Sequence, residues 1–213
     1  MMGGTIVKRI RWSLILLTLI FAFGGCGLSN YSSSTISVDN KGEVTSVLVD
    51  DFDSDDYNVD DLNTSVQESV DAFNKANKDE EIELKTCKED TKKKLVYVKL
   101  VYSSANAYTT FNRRDFFCGS IEDAKNSYEL PSTFISTSGD ETGLDTITSD
   151  DTSKEIIVLE EAMKVKTSGD ILYVSDNVDI VDDTTAQVKE DEAEGNENGN
   201  TSTSQHAFII YES

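Results

Sequence analysis

The chain has 213 residues and is strongly acidic: 40 Asp and Glu against 19 Lys and Arg give a formal charge of −21 at pH 7. That balance argues against nucleic acid as a partner, because neutralising phosphates needs Lys and Arg, and against docking on anionic lipid through a basic face. A single histidine leaves little material for nucleophile–base chemistry.

The first 25 residues differ from the rest. Lys8, Arg9 and Arg11 form a positive cluster, residues 12–23 carry no charge, and Gly24-Gly25-Cys26 closes the segment. A basic start, a short apolar stretch and small residues before a cut site make a secretory leader over residues 1–25. The apolar stretch is short for a membrane span, which takes roughly 20 residues. A leader cut elsewhere, an uncleaved signal anchor and a chance cysteine remain as other readings. Phe23-Gly24-Gly25-Cys26 resembles the bacterial lipobox, with Phe23 at the aliphatic position. The resemblance implies cleavage before Cys26, a diacylglycerol on the Cys26 thiol, and a chain anchored on the outer face of the cell membrane. Two acyl chains hold a protein stably where one does not. Without Lys8, Arg9 and Arg11 the processed chain would keep 16 basic and 40 acidic residues, a formal charge of −24.

Residues 26–35 are Ser-rich and read as a flexible tether. Residues 36–131 read as an α+β part. Ile36–Val49 is a hairpin turning at Asn40-Lys41-Gly42. Val59, Leu62, Val66, Val70 and Phe73 recur at helical spacing, with Asn58 as the cap. Residues 81–87 alternate as a strand. Residues 94–102 are apolar on both faces over part of their length, as in a central strand. Residues 105–112 suggest a helical turn, 116–118 a short strand, and Ser120–Tyr128 a second short helix with Asp123 completing its cap.

Residues 132–153 are rich in Ser, Thr, Asp and Gly and read as a long loop. Residues 154–213 read as mainly β: strands near 156–159, 163–165, 171–174 and 178–181, with 185–188 continuing, in a β meander. Residues 189–205 form a low-complexity loop, and 206–211 a strand that returns to the domain. The expected fold class is thus α+β, with a hairpin, an amphipathic helix, antiparallel strands and a second short helix before the meander.

Candidate sites are few. Asp51, Asp53 and Asp55 match the first three ligand positions of an EF-hand calcium loop. The sixth position is Asp56 where Gly is needed, and the twelfth is Leu62 where Glu is needed. The other reading of Asp50–Asp61 is a solvated strand-to-helix connection. Cys87 and Cys118 are an even pair that either bridge outside the cell or pack as reduced thiols. His206 reads as an incidental strand-edge residue. The aromatics Tyr97, Tyr102, Tyr108, Phe111, Phe116 and Phe117 line a groove or fill a core. With 40 acids, carboxylate pairs in sequence carry no information about a hydrolase.

Beyond the lipobox, the chain resembles the small acidic lipoproteins of Gram-positive bacteria in its leader, Ser-rich tether and α+β domain rich in Asp, Ser and Thr, a likeness that is diffuse after residue 35. That resemblance implies a lipid-anchored surface protein and points to no particular activity. The expected function is a non-enzymatic binding or interaction module with a protein or glycan partner and no cofactor. The alternatives are a calcium- or ligand-binding accessory protein and a carboxylate-based hydrolase.

Overall fold

The computed structural model describes residues 28–52, 57–149, 153–190 and 205–212. The leader, Cys26, Asp53 and Asp55 lie outside them. A 3₁₀ turn at Leu28–Asn30 opens the described chain, followed by β1 (Thr35–Val38) and β2 (Val44–Asp51). Their turn is held by Asp39, whose carboxylate accepts from the Lys41 and Glu43 amides at 2.9 Å each. Gly42 sits there at φ 82, where a side chain would be strained. Helix α1 (Val59–Ala76) starts where expected: the Asn58 side chain accepts from the amides of Asp60 and Asp61, and both acids sit at the positive end of the helix. Val70 and Phe73 are buried, with Leu62 and Val66 packed beside them.

Next come β3 (Ile82–Asp90), β4 (Leu95–Tyr102), α2 (Ala105–Asn112), β5 (Phe116–Ser120) and α3 (Ile121–Ser127). Ser120 caps α3 by accepting from the Asp123 amide at 3.1 Å. The strip expected to be a loop then departs from that reading. It holds β6 (Thr133–Ser136), β7 (Glu141–Gly143) and α4 (Leu144–Thr148). Phe134 and Ile147 anchor it at 1% exposure each, with Ile135 and Leu144 packed beside them partly buried. A run of polar residues conceals such sparse anchors from any periodicity count.

The remaining strands are β8 (Lys154–Leu159), β9 (Lys164–Lys166), β10 (Ile171–Val174), β11 (Val178–Asp182), β12 (Thr185–Val188) and β13 (Ala207–Glu212). They do not form a meander. One sheet has the order β11-β12-β9-β1-β2-β4-β3 and the other β5-β8-β13-β10-β6-β7. Only β11 and β12 join as consecutive neighbours in this part of the chain. β9 instead pairs parallel with β1, so both sheets draw strands from the α+β part and the β part alike. The two parts are therefore interleaved in one unit.

The larger core lies between the sheets. It joins Ile36, Val98 and Leu100 of the first to Ile157, Leu159 and Ile209 of the second. A smaller core covers the other face of the second sheet, where Ile156, Val158, Phe208 and Ile210 meet Ile121, Ala124 and Ile147. Burial on both faces explains why β8 and β13 read as unbroken apolar runs. β4 is next to the edge, between β2 and β3, and not central. Its Val98, Leu100 and Tyr102 enter the larger core, and Tyr97 is fully buried as well. Gly169, in the connection before β10, lies so close to β13 that an added Cβ would fall 1.8 Å from the Glu212 carbonyl oxygen.

The tether is shorter than its Ser-rich composition suggests. Ser34 donates to the Val49 carbonyl at 3.2 Å and accepts from the Val49 amide at 3.0 Å. Tyr31 and Ser33 line a cavity of about 240 Å³ with Lys164 and Thr185. The chain thus lies against the domain from Asn30 onward.

Candidate functional site

Backbone register builds the site. Phe116 of β5 lies opposite Leu159 of β8, and Leu159 lies opposite Ala207 of β13. Asp115, Glu160 and His206 each stand one residue outside that row. Three segments far apart in sequence therefore deliver their side chains to one end of the second sheet. His206 Nε2 lies 3.0 Å from Asp115 Oδ2 and 3.6 Å from Glu160 Oε1. All three ligand-type atoms fall within 4.8 Å of one another. The side chains are 32%, 38% and 26% exposed for His206, Asp115 and Glu160, so the cluster is reachable from solvent.

A second set of contacts fixes these groups. Tyr128, just past α3, donates its hydroxyl to Asp115 Oδ1 at 2.9 Å, leaving Oδ2 for the histidine. Its ring meets the imidazole edge-on at 5.3 Å and 71°. Burial, then the Asp115 and Glu160 carboxylates, push the Tyr128 hydroxyl well above its ordinary pKa, so it stays a proton donor at neutral pH. On the other side Asn177 donates to the His206 carbonyl at 3.3 Å. Asn177 is itself held by Ser175, whose hydroxyl donates to Asn177 Oδ1 at 2.6 Å and accepts from the Phe208 amide at 2.9 Å.

The cluster borders an open cavity of about 1140 Å³. Leu130, Phe134 and Phe208 supply apolar lining, while Glu129, Glu141, Glu160 and Asp176 supply acids, and His206 contributes the single imidazole. The lining thus mixes apolar side chains with a larger share of polar and acidic ones, and concave sites with a few convergent polar groups are where ligands usually bind.

The sequence candidates fare differently. Asp50, Asp51, Asp60 and Asp61 are exposed, and none of them joins a convergent group of metal-type ligands among the described residues. Asp53 and Asp55 lie outside the described residues. Of the two readings of Cys87 and Cys118, the structure has the reduced one: both are free thiols. Cys87 is in β3, at the edge of the first sheet, and Cys118 in β5, at the edge of the second. Cys118 Sγ lies 3.3 Å from the Tyr211 hydroxyl. Burial, with the nearby Glu155 charge adding to it and the Tyr211 contact opposing it, pushes the Cys118 thiol up to about 11, and burial also raises Cys87. Neither forms much thiolate at neutral pH.

The aromatics Tyr102, Tyr108, Phe111 and Phe116 pack edge-on or tilted in a chain of rings with centroids 5.0 to 6.1 Å apart. They are part of the larger core or packed against it. His206, read as incidental, is the residue that sequence reasoning missed. The signal was faint: it directly precedes an apolar strand that returns after a polar loop. What that strand pairs with is not written locally. No protein-family model matches the chain, and the comparisons with curated proteins and with solved structures also find no match.

Proposed function

We propose that the protein is a membrane-anchored, extracytoplasmic, non-enzymatic binding module, and that its ligand occupies the cavity at the end of the second sheet. One observation carries the binding reading: about 1140 Å³ of open space with apolar residues and four carboxylates on its walls. Those carboxylates, on a chain of formal charge −21, disfavour anionic ligands. They favour a ligand with an apolar body and a positive charge, which a basic peptide segment provides. The anchoring rests on the leader and the lipobox-like Phe23–Cys26.

Fluorescence polarisation of the full chain in detergent tests the binding reading. Peptides alternating Lys with Phe or Leu bind, and Glu129→Gln with Glu141→Gln weakens them. Binding that is indifferent to peptide charge, or unchanged in the double variant, overturns it. For the anchor, Cys26→Ala removes both lipid label and membrane association. A variant still labelled at its N-terminus contradicts lipidation at Cys26.

A further inference from the structure

The geometry points to a zinc-class divalent metal site formed by Asp115, Glu160 and His206, with an open coordination position facing the cavity. The inference builds on the reading of that cavity as a binding site, but the metal alone tests it.

Two carboxylates approach the same imidazole nitrogen, at 3.0 and 3.6 Å. One ring N–H serves only one of them, so the other carboxylate is left beside a like charge. A cation between the three groups satisfies all of them. Around a tetrahedral zinc, ligand atoms at about 2.0–2.2 Å from the ion stand about 3.4 Å from each other. The three atoms already lie within 4.8 Å of one another, so a side-chain adjustment of about an ångström would close the shell.

The donor set selects the metal. Imidazole favours zinc and its transition-metal neighbours over calcium or magnesium, which prefer all-oxygen shells. Two carboxylates and a neutral imidazole balance a 2+ ion. Three protein ligands leave a fourth position free, as in sites that take water or a ligand donor. Glu160 and His206 both line the cavity, so that position opens into it.

The surroundings match what such a site needs. Metal-bound carboxylates are usually oriented by a further hydrogen bond, and Tyr128 gives one to the Asp115 oxygen that faces away from the histidine. Tyr128 is thus a positioning residue. Asn177 fixes the backbone at His206 from the opposite side.

Calorimetry of the full chain in detergent, stripped with chelator and titrated with Zn²⁺ alone, is the test. One ion per chain binds in the micromolar range or tighter. His206→Ala and Glu160→Gln each weaken binding by at least tenfold. Tyr128→Phe weakens it by about tenfold, the range seen for residues that orient a ligand, and shifts the visible absorption of bound Co²⁺. Circular dichroism shows that each variant stays folded; the partly exposed Glu160→Gln covers any failure of His206→Ala. No saturable zinc binding overturns the proposal. So does saturable binding that neither variant moves, since the ion would then sit on other acids. Peptide binding that fails while zinc binds leaves the metal site standing and removes only the ligand reading.

Discussion

The chain has two acidic regions that behave in opposite ways. Asp50–Asp61 packs seven aspartates into one stretch of sequence, yet those described are exposed and do not converge. Asp115 and His206 are 91 positions apart, yet they touch, with Glu160 beside them. Density along the chain leaves the described aspartates exposed at the end of β2 and the start of α1, with no partner element to draw them together. Register across a sheet places them in one row, where neighbouring strands hold them together. A site is made by what fixes its residues, and three paired strands fix more than one connecting segment does.

Substitutions can break or sharpen this contrast. The largest effect is expected at the strands beneath the convergent cluster. Ile157 is fully buried, opposite Cys118 on one side and Ile209 on the other. Ile157→Ala should lower stability by about 2–5 kcal/mol in urea unfolding. A much smaller loss would mean that these strands do not carry the fold.

Ser175 comes next. Its buried hydroxyl accepts from the Phe208 amide and steadies Asn177 against His206. Ser175→Ala strands that amide and should cost about 1–3 kcal/mol. It should also broaden the His206 ring signals in an NMR spectrum. Unchanged stability and signals would show that Asn177 holds the histidine unaided.

In the sequence-dense region the structural residue is the uncharged one. Asn58→Ala removes the α1 cap and should cost about 1 kcal/mol. Asp51→Asn, at an exposed strand end, should change stability by no more than about 0.5 kcal/mol. A larger effect of Asp51→Asn than of Asn58→Ala would reverse the comparison.

The smallest effect concerns Glu80, an acid outside both regions. Hydrogen bonds from Asn106, then Ser103 and Ser104, hold its carboxyl below the ordinary value. A depressed folded pKa contributes stability above the unfolded value, near 4.3, that is lost as pH falls through the folded value. Glu80→Gln should therefore flatten the acid limb of the stability curve slightly and leave neutral pH almost unchanged. Equal loss at both pH values would show a packing role instead.

Much of the local structure was legible. The β1–β2 turn, the cap of α1 and the start of α3 follow from Asn40-Lys41-Gly42, Asn58 and Ser120, whose preferences act over a few residues, and the face of α1 from the spacing of Val59, Leu62, Val66, Val70 and Phe73. β6, β7 and α4 were not legible, because Phe134 and Ile147 are too sparse to make a period. The meander failed because turn signals show where strands end and not what they pair with: β9 leaves its neighbours to lie parallel to β1. The cluster was hidden for the same reason, since Asp115, Glu160 and His206 gain meaning only through the row Phe116–Leu159–Ala207.

Because the chain has one histidine, its imidazole gives one set of NMR ring signals that needs no assignment by mutation. A through-space cross-peak between those ring protons and the Tyr128 ring tests the convergence at its centre, where the two rings stand 5.3 Å apart. A cross-peak that disappears in Tyr128→Leu is the predicted result. An imidazole with no aromatic neighbour and the shifts of a free side chain would contradict it.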